Sequence, residues 1–72
     1  LSRYIAKLVH RRVTCHTVRP DDQSIRGLLT GAYKDCLVLS HAEYLVSEGA
    51  PIKLDGDVVM PRERVAYLEL HG

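Results

Sequence analysis

The sequence predicts a mainly β protein: a short N-terminal α-helix over residues 1–10, followed by a five-stranded, strongly bent antiparallel barrel over residues 11–72. Three observations predict it. Apolar residues at helical spacing are confined to the first ten positions. Beyond them, short segments rich in β-branched residues alternate with turn residues. And one strand-forming stretch, "IRGLLTGAY", carries Gly27 and Gly31 in its interior. Glycine weakens a strand there unless the chain must bend or admit a neighbour closely.

In order along the chain, "LSRYIAKLVHRR" places Leu1, Ile5 and Leu8 on one helical stripe, with Tyr4 and Val9 beside it. Ser2 is a candidate cap, and Arg3, Lys7 and Arg11 fall opposite the stripe. "RRVTCHTV" then alternates, with Val13, Cys15 and Thr17 on one face and Thr14, His16 and Val18 on the other. "RPDDQ" is a turn, because Pro20 fixes φ and Asp21 and Asp22 favour local side-chain bonds. A second strand runs from Ser24 to about Tyr33, and a third from about Cys36 through "LVLSHAEYLV". "IKLDGDVVM" reads as a hairpin tip with Asp55-Gly56 at its turn. Pro61 ends that strand, "PRER" makes one tight turn, and "VAYLEL" is the last strand. So few strands bury a core by curling over, and Gly27 with Gly31 supplies the bend.

Seventy-two residues make one small domain with a modest core. Two cysteines, Cys15 and Cys36, are too few for a disulfide scaffold, and their spacing fits no zinc pattern. Reduced thiols in a reducing compartment are expected. No apolar run reaches the roughly 18 residues of a membrane span, and no signal-peptide pattern is present. The formal net charge of +1 hides an asymmetry: residues 1–19 carry five basic side chains and no acid, while all nine acids follow. A basic front end attracts phosphate or an acidic protein surface, although a solvated helix face carries the same charges.

Catalysis is not expected. His10, His16, His41 and His71 include no pair at helical i, i+4 spacing, and neither cysteine completes a ligand set, so no metal and no cofactor are assigned. Cys15 and His16 point to opposite faces of one strand, which rules them out as a nucleophile and its base. No glycine-rich phosphate loop is present, since Gly27 and Gly31 lie inside a strand pattern. Of the four tyrosines, Tyr33 falls in a loop, where stacking on a base is open to it. Core or interface packing suits Tyr44 and Tyr67.

The order of pieces resembles the Sm and Sm-like family, over nearly the whole chain. Gly27, Leu29 and Ala32, then Leu37, Leu39 and Ala42, follow the family's first motif, and "MPRERVAYL" supplies Met60, Val65 and Leu68 at the spacing of the second. The "GxYxDxLVLxHA" and "PRxRVA" patterns look like small Sm-like proteins of bacteriophages. The departures fall on the RNA pocket. Family members that bind uridine-rich RNA use an Asp and an Asn after the second strand and an Arg-Gly in the second motif. Here Tyr33 stands where the Asp is expected, Cys36 falls near the Asn position, and Pro61-Arg62 replaces Arg-Gly. A cysteine cannot read a base edge through paired donor and acceptor atoms.

The expectation is therefore a non-enzymatic structural or interaction module that associates through its strand edges. Its interface residues are Val58, Val59, Met60, Val65, Tyr67 and Leu68. Its partners are copies of itself or a larger viral structural protein, with no membrane. The resemblance implies a virion or host-cytoplasm setting, as a capsid, decoration or connector-associated protein. The alternative is an Sm-like ring that binds RNA or DNA mainly through phosphates, using Arg3, Lys7, Arg11, Arg12, Tyr33, Lys34 and Arg62. The same residues suit contacts to an acidic partner.

Overall fold

A computed structural model describes residues 2–19 and 23–71, apart from the side chains of Ser2 and Arg3. The side chain of the candidate cap Ser2, and the turn residues Pro20, Asp21 and Asp22, lie outside the described residues. The described residues form one short α-helix, α1 (Ser2–Ala6), and six strands: β1 (Arg12–Thr17), β2 (Ser24–Ala32), β3 (Cys36–Leu45), β4 (Ile52–Lys53), β5 (Val58–Pro61) and β6 (Val65–Leu70). They make a single antiparallel sheet in the order β4-β3-β2-β1-β6, with β5 also paired to β3. β5 and β6 share no ladder, so the sheet is not closed.

The helix is shorter than the ten residues its apolar stripe predicts. Past Ala6 the chain tightens: the N–H groups of Lys7, Leu8 and Val9 donate three residues back, to Tyr4, Ile5 and Ala6 at 3.1, 2.9 and 3.4 Å. His10 then takes a left-handed conformation, φ 77°, which stops the helix as a glycine would. Its N–H donates to the Leu29 carbonyl at 2.6 Å, and Leu29 N–H donates to the Arg11 carbonyl at 2.9 Å. These bonds tie the end of the turn to β2. The stripe still does its work: Leu8 is buried in the core, and Ile5 and Val9 pack against it.

The core lines one face of the curled sheet. Val13 and Cys15 come from β1, Ile25 and Leu29 from β2, Leu37 and Leu39 from β3, and Met60 from β5. In β2 the inward positions are Ile25, Gly27, Leu29 and Gly31, in strict alternation. In β3 the alternation breaks, because Leu37 and Leu39 point inward and then Ala42 does. The break is His41, at φ 50°. Opposite it the register slips, with Leu28 facing Ser40 but Arg26 facing Glu43, so His41 and Ala42 oppose Gly27 alone. This is a β-bulge, which bends and twists the strand. A second slip sits between Leu29 and Gly31.

Gly27 is required for space. A Cβ there would lie 3.0 Å from the Ser40 carbonyl oxygen and 3.1 Å from the Ala42 Cα. The bulge thus brings the β3 backbone onto β2 at the one position without a side chain. At Gly31 the intruder is different: a Cβ would meet the ring of Tyr33 at 2.7 Å.

The expected hairpin at Asp55-Gly56 does not form. β4 and β5 both run along β3, Ile52 and Lys53 opposite Tyr44 and Glu43, and Val58 to Pro61 opposite Leu39 to Cys36. Leu54 N–H continues the ladder to the Ala42 carbonyl at 2.9 Å. The register then gains one residue before Val58, so the Asp55-Gly56-Asp57 segment is an excursion within one path along β3. Gly56, at φ 73°, takes the left-handed conformation this needs. Asp57 is anchored by Ser40 Oγ, which donates to its carboxylate at 2.8 Å. As expected, Pro61 ends β5 and "PRER" turns tightly, as a 3-10 helix over Arg62–Arg64.

Candidate interaction surface

Among the described residues the outer edges of β4, β5 and β6 are unpaired; β4 is two residues long, and β5 and β6 are the longer edges. Which main-chain groups they offer follows from the ladders. Arg62 N–H donates to the Asp35 carbonyl at 2.9 Å. Bonded and non-bonded pairs alternate along an antiparallel ladder. Through the register Cys36–Pro61, Leu37–Met60, Val38–Val59, Met60 therefore bonds inward to β3, while Val59 and Pro61 face the free edge. Pro61 thus sits where its missing N–H breaks no ladder bond. Val59 is the residue of β5 that presents both N–H and C=O outward, and its side chain is 60% exposed.

The same reasoning applies to β6. His71 N–H donates to the Arg12 carbonyl at 3.1 Å. Through the register Val13–Leu70, Thr14–Glu69, Cys15–Leu68, Leu68 and Leu70 turn their main-chain groups to the free edge. Their side chains point to the core face, yet Leu70 remains 38% exposed. The reason is a groove of about 510 Å³ between α1 and β6, floored by Leu37 and walled by Tyr4, Ile5, Leu8, Leu68 and Leu70. Arg62 is the one charged residue lining it, and its Nε is buried without a hydrogen-bond partner.

The predicted interface residues divide between roles. Val59 is exposed at the β5 edge and Val58 half-buried beside it, whereas the Met60 side chain belongs to the core. Val65 and Leu68 pack against the core and line the groove. Tyr67 is exposed, contributes to the lining of the groove and stacks its ring on His16. Leu70, Tyr4 and Ile5 line the same groove and were not among the expected interface residues. The inward spacing of Leu68 and Leu70 is the signal that would have added Leu70.

The outer face of β1, β2 and β6 carries a polar cluster. The His16 ring stacks on Tyr67, centroids 4.4 Å apart. Its Nε2 lies 2.9 Å from Glu69 Oε1, and its Nδ1 3.0 Å from Ser24 Oγ. A carboxylate only accepts, so Nε2 carries a proton; in the neutral ring Nδ1 accepts from the Ser24 hydroxyl. The hydrogen bond from His16 holds the Glu69 carboxyl below its ordinary range. This hydroxyl–imidazole–carboxylate connectivity lies on an open face, and none of the three principal grooves is lined by Ser24, His16 or Glu69. Neither Tyr44 nor Tyr67 enters the core. Nearby, the buried Thr14 hydroxyl is satisfied by His71 Nε2 at 2.6 Å, and Arg26 pairs with Glu43 at 3.2 Å.

The basic front end is dispersed. Lys7, Arg11 and Arg12 are exposed, on the turn after α1 and at the start of β1, and the Arg3 side chain lies outside the described residues. Tyr33 and Lys34 stand exposed in the β2–β3 turn, closed by Tyr33 N–H donating to the Cys36 carbonyl at 2.8 Å, and β2 lies between β3 and β1. Both thiols are free, and burial pushes the Cys15 thiol up to about 11. Among the described residues, no three of His, Cys, Asp and Glu gather as a metal ion would need, and no helix is long and apolar enough to cross a membrane. No protein-family model matches the chain, and no curated protein matches it.

Proposed function

We propose that this chain is a non-enzymatic interaction module of Sm-like build that binds other protein chains through the free edges of β5 and β6. One observation carries the reading: the wall of the sheet is open between those two strands, and apolar side chains flank both edges. An open edge with apolar flanks is a template for another strand, unless charge or proline blunts it. On β5 the proline falls where it removes one outward donor and leaves Val59 in place.

Counting β4 and β5 as one strand interrupted by an extra residue leaves five strands after a short helix, the number that the resemblance implies. That supports an Sm-like barrel with an open seam. The partners are further copies of the chain or a larger structural protein. The virion setting, as a capsid, decoration or connector-associated protein, rests on the resemblance alone.

The experiment is size-exclusion chromatography with light scattering on wild type and Val59→Pro. The substitution removes an outward N–H and spares the ladder to β3, so folding survives. Losing one interchain hydrogen bond, about 1 kcal/mol, weakens β5-mediated self-association by roughly fivefold to tenfold. A wild type that stays monomeric and binds no added chain overturns the module.

A further inference from the structure

We infer that the groove between α1 and β6 is the seat of a partner protein's extended segment, one that carries a carboxylate among apolar side chains. This rests on the interaction-module reading and names the partner's chemistry. Three observations converge on the same place. The main-chain groups of Leu68 and Leu70 face outward along β6, ready to pair with an added strand. The side chains of the same two residues wall an apolar groove of about 510 Å³ with Ile5, Leu8 and Leu37. At the end nearer Val65 stands Arg62, whose Nε is buried with no acceptor.

A buried guanidinium N–H left without an acceptor forfeits the hydrogen bonds it had to water. The Arg62 side chain as a whole is only half-buried, so its terminal guanidinium nitrogens, beside the enclosed Nε, are the donors an incoming carboxylate meets. No acidic residue lines the groove, so the acceptor must come from elsewhere. An apolar trough with one orphaned cationic donor matches a strand that puts two apolar side chains and one carboxylate on the same face. In antiparallel addition the C-terminal part of such a strand lies at the Val65 end, beside Arg62.

The test uses two blocked peptides, Ac-TVTVTDT-NH2 and Ac-TVTVTNT-NH2, whose alternate positions place valine, valine and then aspartate or asparagine on one face. Binding to the full chain is followed by NMR shift perturbation. Expected is a roughly tenfold or greater preference for the aspartate peptide, as a charge-assisted hydrogen bond requires. The shifts should centre on Leu8, Leu68 and Leu70. In Arg62→Gln the preference should vanish. Should that variant fail to fold, the peptide pair on wild type still decides. Val59→Pro separates the two claims: it leaves peptide binding intact while weakening β5-mediated self-association. Equal affinity for the two peptides, or no binding at millimolar concentration, overturns the proposal. So does an oligomer in which a second copy fills the groove and excludes the aspartate peptide.

Discussion

Replacing Gly27 with valine tests the bend most directly. The added Cβ would sit 3.0 Å from the Ser40 carbonyl oxygen and 3.1 Å from the Ala42 Cα, both backbone atoms of β3. Backbone cannot rotate aside as a flexible side chain can, so β2 and β3 must separate where the bulge draws them together. Valine adds two further carbons to that clash. Overpacking of this kind costs about 1–3 kcal/mol. Loss of glycine's freedom in the unfolded chain returns about 0.5–1 kcal/mol. The net loss is about 1–2 kcal/mol, and a protein of this size moves by roughly 4–8 °C per kcal/mol. Thermal unfolding followed by circular dichroism should therefore show a Tm lower by roughly 5–15 °C, with Gly27→Ala falling between. A Tm for Gly27→Val equal to or above wild type would show that β3 does not crowd this position, and the account of the bend would fail.

Two further predictions follow from the outer face and the β2–β3 turn. The His16 hydrogen bond lowers the Glu69 pKa from its ordinary 4.5, so its contribution is present above that value and is lost as pH falls through the lowered one. The stability gap between wild type and Glu69→Gln should narrow as pH drops from about 6 to about 3; a gap independent of pH refutes it. A uridine-rich oligonucleotide should bind weakly, lose affinity steeply with added salt, and bind no better than its cytidine counterpart in fluorescence anisotropy. Tight binding that collapses on that base change would restore the base-reading pocket that Tyr33 and Cys36 argue against.

Most of the strand plan was legible because it rests on period-2 alternation and turn residues. β1, β2, β3 and β6 begin and end within a residue or two of the segments that "RRVTCHTV", "IRGLLTGAY", "CLVLSHAEYLV" and "VAYLEL" suggest. Gly27 was legible too, since an interior glycine in a strand asks for a close neighbour. What it did not disclose was the device opposite. His41 adopts a left-handed conformation that is uncommon for any residue but glycine, and the bulge opposite Gly27 requires it. His10 ends the helix in the same way, which is why a ten-residue apolar stripe yields a five-residue helix. Asp55-Gly56 carries a strong hairpin signal. The turn chemistry is real, but both flanking segments found a better partner in β3 than in each other. The polar cluster of Ser24, His16 and Glu69 was beyond sequence reading, because Glu69 reaches His16 only once β6 is laid beside β1 from 53 residues away.

The uneven burial of the sheet argues for where this protein meets others. Val13, Cys15, Leu29 and Leu39 are fully enclosed, so the packing of β1, β2 and β3 is complete without help. Exposed residues on the core face lie at the margins of the sheet: Tyr44 and Ile52, in register with Ile25, at the β4 end, and Ala66 and Leu70 along β6. A poorly packed small protein would spread such defects through its core. Here they fall at the two ends of the sheet, and those of β6 line an unpaired edge beside a donor with no acceptor. β5 cannot fill the seam, because its bonded side is committed to β3 and only a three-residue turn, Arg62–Arg64, links it to β6. A strand from outside meets three needs at once: it pairs the main chain of Leu68 and Leu70, covers their side chains, and brings an acceptor to Arg62.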